Sequence, residues 1–476
     1  MTSALDSSYR PILAEDSLLG GSTFNYGAVS SDNEANNASE GLEARKCIEK
    51  RLLRKLDLRV AFLVLVYIMN YMDRNNAAAA RLRGLEEDLH MHGRQFNTLI
   101  SILYVGYIMM QVPSNIFLNH IGKPSLYLST CMAIWGLISA FTGAAQTYHG
   151  ALLSRFLLGF VEAAFYPGAL FLLSKWYKRN EIGLRTALLT CGSSVSNAFG
   201  SLIASGILGS MDGKLGFAAW RWLFFIEGTL TVAVAIAAIF ILPDFPASSA
   251  SWLTPEERAL AQLRMEEDSV VADQGEVGQS KSISGLVLAL TDGKVWWLGV
   301  ALCSMVASLS FGNFFPTLCA TMGYSPTITL LLCAPPWLLG TATSFLVTRH
   351  SDSTGDRFWH ITCPLLVGMI GYIMAMSTMN IVFRYISLFI MAQSSVGYVV
   401  FLTWVSNSIP HPPAKRAVAI AFINSIATFG NIGASYIWLS SWGPSYWNSQ
   451  HLRRLNVATE TEERILGLPQ GYRYLL

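Results

Sequence analysis

Eleven runs of about 20 mostly apolar residues set what this chain can become, because each is long enough to cross the hydrocarbon core of a bilayer. They fall at 60–80, 97–119, 125–143, 151–174, 186–208 and 220–242, then, after a polar break, at 294–318, 328–348, 360–378, 384–408 and 416–438. A bilayer offers no water to unpaired backbone groups, so such runs must be helices that satisfy their own N–H and C=O groups. The fold class that follows is an all-α polytopic membrane protein with two helical halves. Composition agrees. Of 476 residues 52 % are apolar and only 13 % charged, where a soluble chain carries roughly a quarter.

The chain divides into a disordered cytosolic N-terminal tail (1–56), a first transmembrane half (57–242, spans one to six), a cytosolic central loop (243–293), a second transmembrane half (294–438, spans seven to eleven) and a polar C-terminal tail (439–476). Basic residues choose the orientation. Arg45, Lys46, Lys50, Arg51, Arg54, Lys55 and Arg59 precede span one; Lys175, Lys178, Arg179 and Arg185 follow span four; Arg349 and Arg357 follow span eight. By the positive-inside rule these lie in the cytosol, although Arg74, Arg81, Arg83 and Arg94 after span one run against it. The first 56 residues have no apolar h-region, so no cleavable signal peptide is read. Asn37-Ala38-Ser39 matches a glycosylation acceptor but on the cytosolic side. In the central loop, Thr254-Pro255-Glu256-Glu257 is a capping box that opens a short helix near 255–268. It reads equally as a membrane-surface linker between moving halves and as a plain tether.

Several functions are excluded. The net charge of +2 gives no electrostatic footprint for nucleic acid. The seven cysteines are scattered with no CxxC, so no metal site is expected. Gly122-Lys123, Gly213-Lys214 and Gly293-Lys294 lack the rest of a P-loop, and no H-E-x-x-H occurs. No enzyme activity and no cofactor are expected.

Ionisable groups at membrane depth are costly and mark functional sites. Glu162 lies about eleven residues into span four, roughly 16 Å at 1.5 Å per residue. Arg155, Gly159, Glu162 and Tyr166 share a helical face. Asp73 with Arg74, and Arg221 with Glu227, are the other sets; spans seven to eleven hold no acid, so any proton chemistry belongs to the first half. Glu162 reads either as a proton-coupling group or as a structural partner of Arg155, and Arg221 with Glu227 either as a functional pair or as a helix-end clamp. In the second half Asn313, Gln393, Asn424 and Asn431 are polar candidates to line a cavity or to bond between helices. Gly192, Ser196, Gly200 and Ala204 form a small-residue stripe for close packing in span five.

Ser351-Asp352-Ser353-Thr354-Gly355-Asp356-Arg357, between spans eight and nine, resembles the cytosolic loop signature of the major facilitator superfamily. The reading is a charge clasp. Gly355 permits the turn, Asp352 pairs near a helix end and Arg357 reaches a carboxylate or a helix C-terminus. The first-half counterpart, Asn119 to Pro124, lacks the acid. Asp73-Arg74-Asn75-Asn76, Pro113-Ser114-Asn115, Gly159-Phe160-Val161-Glu162 with Tyr166-Pro167-Gly168, Trp220-Arg221-Trp222 with Glu227-Gly228, and Trp252 to Arg258 resemble the anion:cation symporter branch, the allantoate-permease-like transporters of fungi. Ala77, Ala78 and Ala79 depart from that pattern.

The resemblance implies a plasma-membrane secondary transporter that works by alternating access. It implies proton-coupled symport of a small organic anion (a carboxylate, vitamin or ureide), with an exporter of secondary metabolites or drugs as the alternative. The span-five segment lacks the Gly-Pro pair of drug antiporters, which favours the former. The implied partners are a small-molecule substrate, protons and membrane lipids, with a monomeric chain. Glu162 and Asp73 are the proton-coupling candidates. Arg74, Asn76, Arg155, Tyr166, Asn313, Gln393, Asn424 and Asn431 are the substrate candidates, and Asp352, Gly355 and Arg357 the gating loop. The family has twelve spans, and only eleven are readable here. Trp442 to Trp447 and Arg453 to Asn456 resemble the flanks of a twelfth, so a segment of roughly 20–30 residues is expected to be missing near 448–451.

Overall fold

The computed structural model describes residues 31–121, 123–246, 252–273, 287–408 and 413–438, and every regular element among them is helical. The twelfth-span expectation, the segments Trp442 to Trp447 and Arg453 to Asn456, and the loop glycine Gly122 lie outside the described residues.

Each of the eleven expected runs coincides with a helix or a broken pair of helices. The first half holds α1 (Ser31–Arg81), α2 (Leu85–Asp88), α3 (Gln95–Ile121), α4 (Pro124–Thr142), α5 (Tyr148–Glu162), α6 (Phe165–Trp176), α7 (Arg179–Ser210) and α8 (Ala219–Ile241). The link contains α9 (Pro255–Asp273). The second half holds α10 (Gly293–Leu309), α11 (Phe315–Ala320), α12 (Pro326–Thr354), α13 (Phe358–Ser377), α14 (Ile381–Ala392), α15 (Ser394–Ser408) and α16 (Pro413–Ser435). Nine of the described helical segments are long and apolar enough to span a membrane by themselves. α1 and α3 are not among them; α1 carries Asn70, Asp73, Arg74, Asn75 and Asn76 inside its apolar run.

Among the described residues, 31–51 belong to one compact unit and those from 52 to 438 to another. Within the first, Lys46 pairs with Glu43 at 3.0 Å along one helix face. The structure corrects the expectation of a disordered tail to residue 56: the chain is helical from Ser31 onward.

Within the larger unit, α4 packs on α8, α3 on α5, and α10 on α16; the two halves meet along α7–α12 and α3–α16. Small residues set the spacing. A Cβ on Gly159 would lie 1.9 Å from the Leu103 carbonyl oxygen, and one on Gly228 would lie 2.6 Å from that of Gly136. The span-five stripe does pack: Gly192 faces Tyr67 and Gly200 faces Met72.

Three spans are broken. Pro167 lacks an N–H and crowds the carbonyl four residues back, at Ala163, where α5 ends. Pro316 does the same at Gly312, between α10 and α11. The third break, at Gln393, has no proline, and we have no physical account of it.

The link helix is docked, not a plain tether. Thr254 and Glu257 form the capping box, with Thr254 N donating to Glu257 Oε2 (3.0 Å) and Glu257 N to Thr254 Oγ1 (3.3 Å). Lys55 reaches Glu257 at 2.7 Å, and Arg264 reaches Glu181 at 2.6 Å. α9 is thereby fastened to α1 and α7, both in the first half.

Candidate functional site

The break after α5 leaves Glu162 at a helix end, facing the first span across a polar cavity of about 70 Å³. Arg74 Nε and Nη2 each lie 3.2 Å from Glu162 Oε1. Glu162 is 1 % exposed, and its Oε2 has no hydrogen-bond partner. The Arg74 guanidinium lies among three aromatic rings, 4.8 Å from the centroid of Tyr71, 5.2 Å from Tyr107 and 5.7 Å from Tyr104. A planar cation among π faces keeps its charge at a low solvation cost. Asn70, Tyr166, Tyr398, Asn424, Thr428 and Asn431 complete the wall, so both halves contribute.

Behind Arg74 the backbone of its turn is clamped. Arg155 Nη1 donates to the carbonyls of Asp73 (3.3 Å) and Arg74 (3.1 Å). Asp73 faces away from the cavity and accepts from Ser139 (2.8 Å) and Thr231 (2.7 Å). Glu162, Arg74, Tyr166, Asn424 and Asn431 are thus brought together at one cavity. Asn313 exchanges hydrogen bonds with the Tyr104 hydroxyl next door, at 3.0 and 3.3 Å. Asn76 lines a separate small cavity with Asn75 and Asn197. Gln393 donates to the Phe389 carbonyl inside its own helix (3.2 Å), away from the site. Arg221 does not clamp Glu227; it donates to the carbonyls of Gly143 and Ala145, at 2.9 and 2.6 Å.

The two halves are bonded to each other at the end where α1 finishes and α3 begins. There Asn97 Nδ2 donates to the carbonyls of Ser435 (2.6 Å) and Trp438 (3.1 Å), and Arg83 Nη2 donates to Thr327 Oγ1 (3.2 Å). Phe314 stacks on Trp438 and meets Phe96 edge-on. At the opposite end, in the loop after α12, Gly355 takes φ +72° and Arg357 pairs with Asp352 at 2.6 Å. Arg357 therefore closes its own turn, with a second bond to Ser351 Oγ at 3.0 Å.

Sequence reading missed the tyrosine cage. Tyr67/Tyr71 at i, i+4 and Tyr104/Tyr107 at i, i+3 are the available signal. It also missed Arg384, a buried base of the second half. Arg384 lines a second, roomier cavity of about 300 Å³ with Tyr372, Met391 and Trp438. That space is mostly apolar and peripheral, so the smaller cavity, with its buried ion pair, is the better candidate.

Among the described residues the chain is all-helical, with two halves around a polar cavity, which is the architecture of a polytopic membrane protein. The chain belongs to the Major Facilitator Superfamily, whose profile matches residues 63–435. It is 35 % identical over 414 residues to the MFS-type transporter cnsO of Penicillium expansum, covering 83 % of this chain and 78 % of that one. It is 31 % identical over 396 residues to an Agrobacterium vitis protein named "Putative tartrate transporter", covering 82 % and 89 %. Among solved structures it matches an inward-facing, unoccupied bacterial homologue of the human lysosomal transporter Spinster at a TM-score of 0.63 and 18 % identity, covering 80 % and 82 %. That likeness concerns the fold.

Proposed function

We propose that this transporter is a proton-coupled symporter of a small organic anion, acting in the plasma membrane. The observation that carries the reading is the Arg74–Glu162 pair on the cavity wall. Among the described residues lining the cavity, the guanidinium is the one group built to hold a carboxylate by paired hydrogen bonds. Glu162 already occupies it. A proton on Glu162 weakens that pair and frees Arg74 for the substrate, so proton and anion load together. Loss of the proton restores the pair and expels the anion. Tyrosine hydroxyls, Asn424 and Asn431 supply neutral donors for the remaining oxygens. The small cavity suits a small solute, and two Agrobacterium vitis relatives carry tartrate in their names.

In alternating access the halves rock about this site. The Asn97 and Arg83 contacts bond the halves at one end, and the Asp352–Arg357 turn lies at the other.

The test is uptake into proteoliposomes of the purified full chain, with L-tartrate and a panel of labelled carboxylates under an imposed pH gradient. Accumulation should follow the inward proton gradient. Glu162→Gln should abolish accumulation while leaving exchange without a gradient. Full pH-driven uptake by that variant overturns the reading, and export against an inward proton gradient supports the antiporter alternative instead.

A further inference from the structure

Glu227 is a second acid at membrane depth that the scheme above does not use. It lies about two turns into α8 and is 0 % exposed, with no hydrogen-bond partner for either carboxylate oxygen. Its surroundings are tightly packed. The next residue, Gly228, brings α8 so close to α4 that an added Cβ would lie 2.5 Å from Ala140 N. An isolated carboxylate in such a place is strongly disfavoured unless a cation or donors compensate it.

The charged groups around it do not compensate it. From α1, Asp73 is its acidic neighbour, and the Asn76 amide lies beside it without forming a hydrogen bond, its Nδ2 being unpartnered as well. Thr231, one turn further on the same face of α8, donates to Asp73 Oδ2 at 2.7 Å, which places the two acids on adjoining turns. From α5, Arg155 lies over Phe224, 5.3 Å from its centroid, but gives its bonds to the carbonyls of Asp73 and Arg74. Arg221, two turns back, is held by Gly143 and Ala145. α4 carries Tyr127 and Cys131, two turns or more from Ser139, the residue that meets Asp73. α7 carries Cys191 in mid-helix, and Glu181 and Arg185 at its start, the last paired with Asp57. In this buried cluster three carboxyl groups, Asp73, Glu162 and Glu227, face two guanidinium groups, Arg74 and Arg155. Full ionisation leaves one negative charge unbalanced, and Glu227 is the acid without a donor.

We propose that Glu227 is a proton-binding site of this transporter, carrying its proton as a neutral acid in this conformation beside the ionised, doubly hydrogen-bonded Asp73. That the proton is one of those moved in transport rests on the symport reading above; its presence on Glu227 does not.

The measurement is infrared absorption of the purified full chain in lipid nanodiscs near neutral pH without substrate, in the carbonyl-stretch region of protonated carboxylic acids. Wild type should show a protonated-acid band that E227Q loses and that E162Q and D73N keep. E227Q should melt within a degree or two of wild type, since the amide replaces a neutral acid of the same shape. A band that survives in E227Q overturns the proposal, as does one that disappears in D73N, which would put the proton on Asp73. A large drop in the melting temperature of E227Q also overturns it, because it would mean that the ionised form had partners. In proteoliposomes, tartrate-driven proton uptake by E227Q should fall at least twofold below wild type. Equal uptake overturns the role in transport. No such uptake by wild type counts against the symport reading and leaves the infrared result to decide Glu227.

Discussion

The two walls of the central cavity differ in kind. The first half brings Arg74 and Glu162, braced from behind by Asp73 and Arg155, whereas the second brings Tyr398, Asn424, Thr428 and Asn431. One wall holds charge and the other only neutral hydrogen-bonding groups. The difference has a mechanical sense. Opposite charges about 4 Å apart in a medium of low dielectric attract by several kcal/mol or more, so an ion pair across the two halves would resist their separation. Here the ion pair stays within the half that holds it, and the interface is left with bonds such as Ser425 Oγ to Gln111 Oε1, at 3.2 Å. Each neutral bond is worth about 1 kcal/mol net and is readily exchanged for water.

The strongest way to break this comparison is to neutralise the charged wall. Arg74→Gln should lower carboxylate uptake by about 10- to 100-fold, in line with the roughly 1.5–3 kcal/mol of a hydrogen bond to a charged group. Exchange without a gradient should fall equally, unlike in Glu162→Gln, because the anion itself is lost. Counterflow assays of the two variants side by side separate these outcomes. Near-normal exchange by Arg74→Gln would mean that the anion is bound elsewhere.

A structural version of the comparison asks whether both halves depend on backbone contact. Gly159→Ala puts a methyl group 1.9 Å from the Leu103 carbonyl oxygen in the first half, and Gly430→Ala puts one 2.4 Å from that of Cys303 in the second. In neither case can a flexible side chain give way. Each should cost about 1–3 kcal/mol and lower the melting temperature of the purified chain, while Gly433→Ala, with nothing within 4 Å, should be silent. Equal melting of all three would contradict the packing described.

These contacts also show how much was legible in the sequence. Apolar length alone located all eleven spans, because a bilayer leaves backbone polar groups no alternative to a helix. Glu162 and Arg74 stood out as charges at membrane depth. Their pairing did not, since they are 88 residues apart and meet only through the packing of α5 beside α1. Helical spacing grouped Arg155 with Glu162, yet Arg155 bonds backbone behind the site. The break at Ala163 was implicit in Pro167; the one at Gln393 has no marker. Arg221 and Glu227 looked like a pair because they are close in sequence, but the i, i+6 spacing puts them on different faces of α8.

At the Asp352–Arg357 turn the expected effect is on rate. Asp352→Asn removes the partner of Arg357 in an exposed turn. Maximal transport should slow several-fold with little change in apparent affinity, because the turn lies far from the cavity. A change confined to affinity would contradict this. On the neutral wall, Asn424→Ala should do the reverse: a two- to tenfold weaker apparent affinity, the worth of about one neutral hydrogen bond, with proton coupling intact. Loss of coupling there would erase the distinction between the walls.

The smallest effect concerns the ends of the two halves nearest the link, where the halves are alike. Each anchors an acid to a lysine: Glu257 to Lys55 in the first, Asp292 to Lys415 in the second, both at 2.7 Å. Burial works against the charge on Glu257, yet the Lys55 ammonium and the bonds from Thr254 win and hold its carboxyl below the usual range. Asp292 is held low chiefly by Lys415, then by the Lys294 N–H at the start of α10. A carboxyl lowered in the folded state contributes stability that is complete above its unfolded value and is lost as pH falls through its folded value. Wild-type melting temperature should therefore decline on the acid side of the ordinary carboxylate range and stay flat above it. Glu257→Gln and Asp292→Asn should each remove part of that decline. Both should be modest, because Lys55 is partly exposed and solvent screens the pair. If the acid-side decline is the same in both variants as in wild type, other carboxyls carry it, and the ends of the two halves are not tied by these bridges.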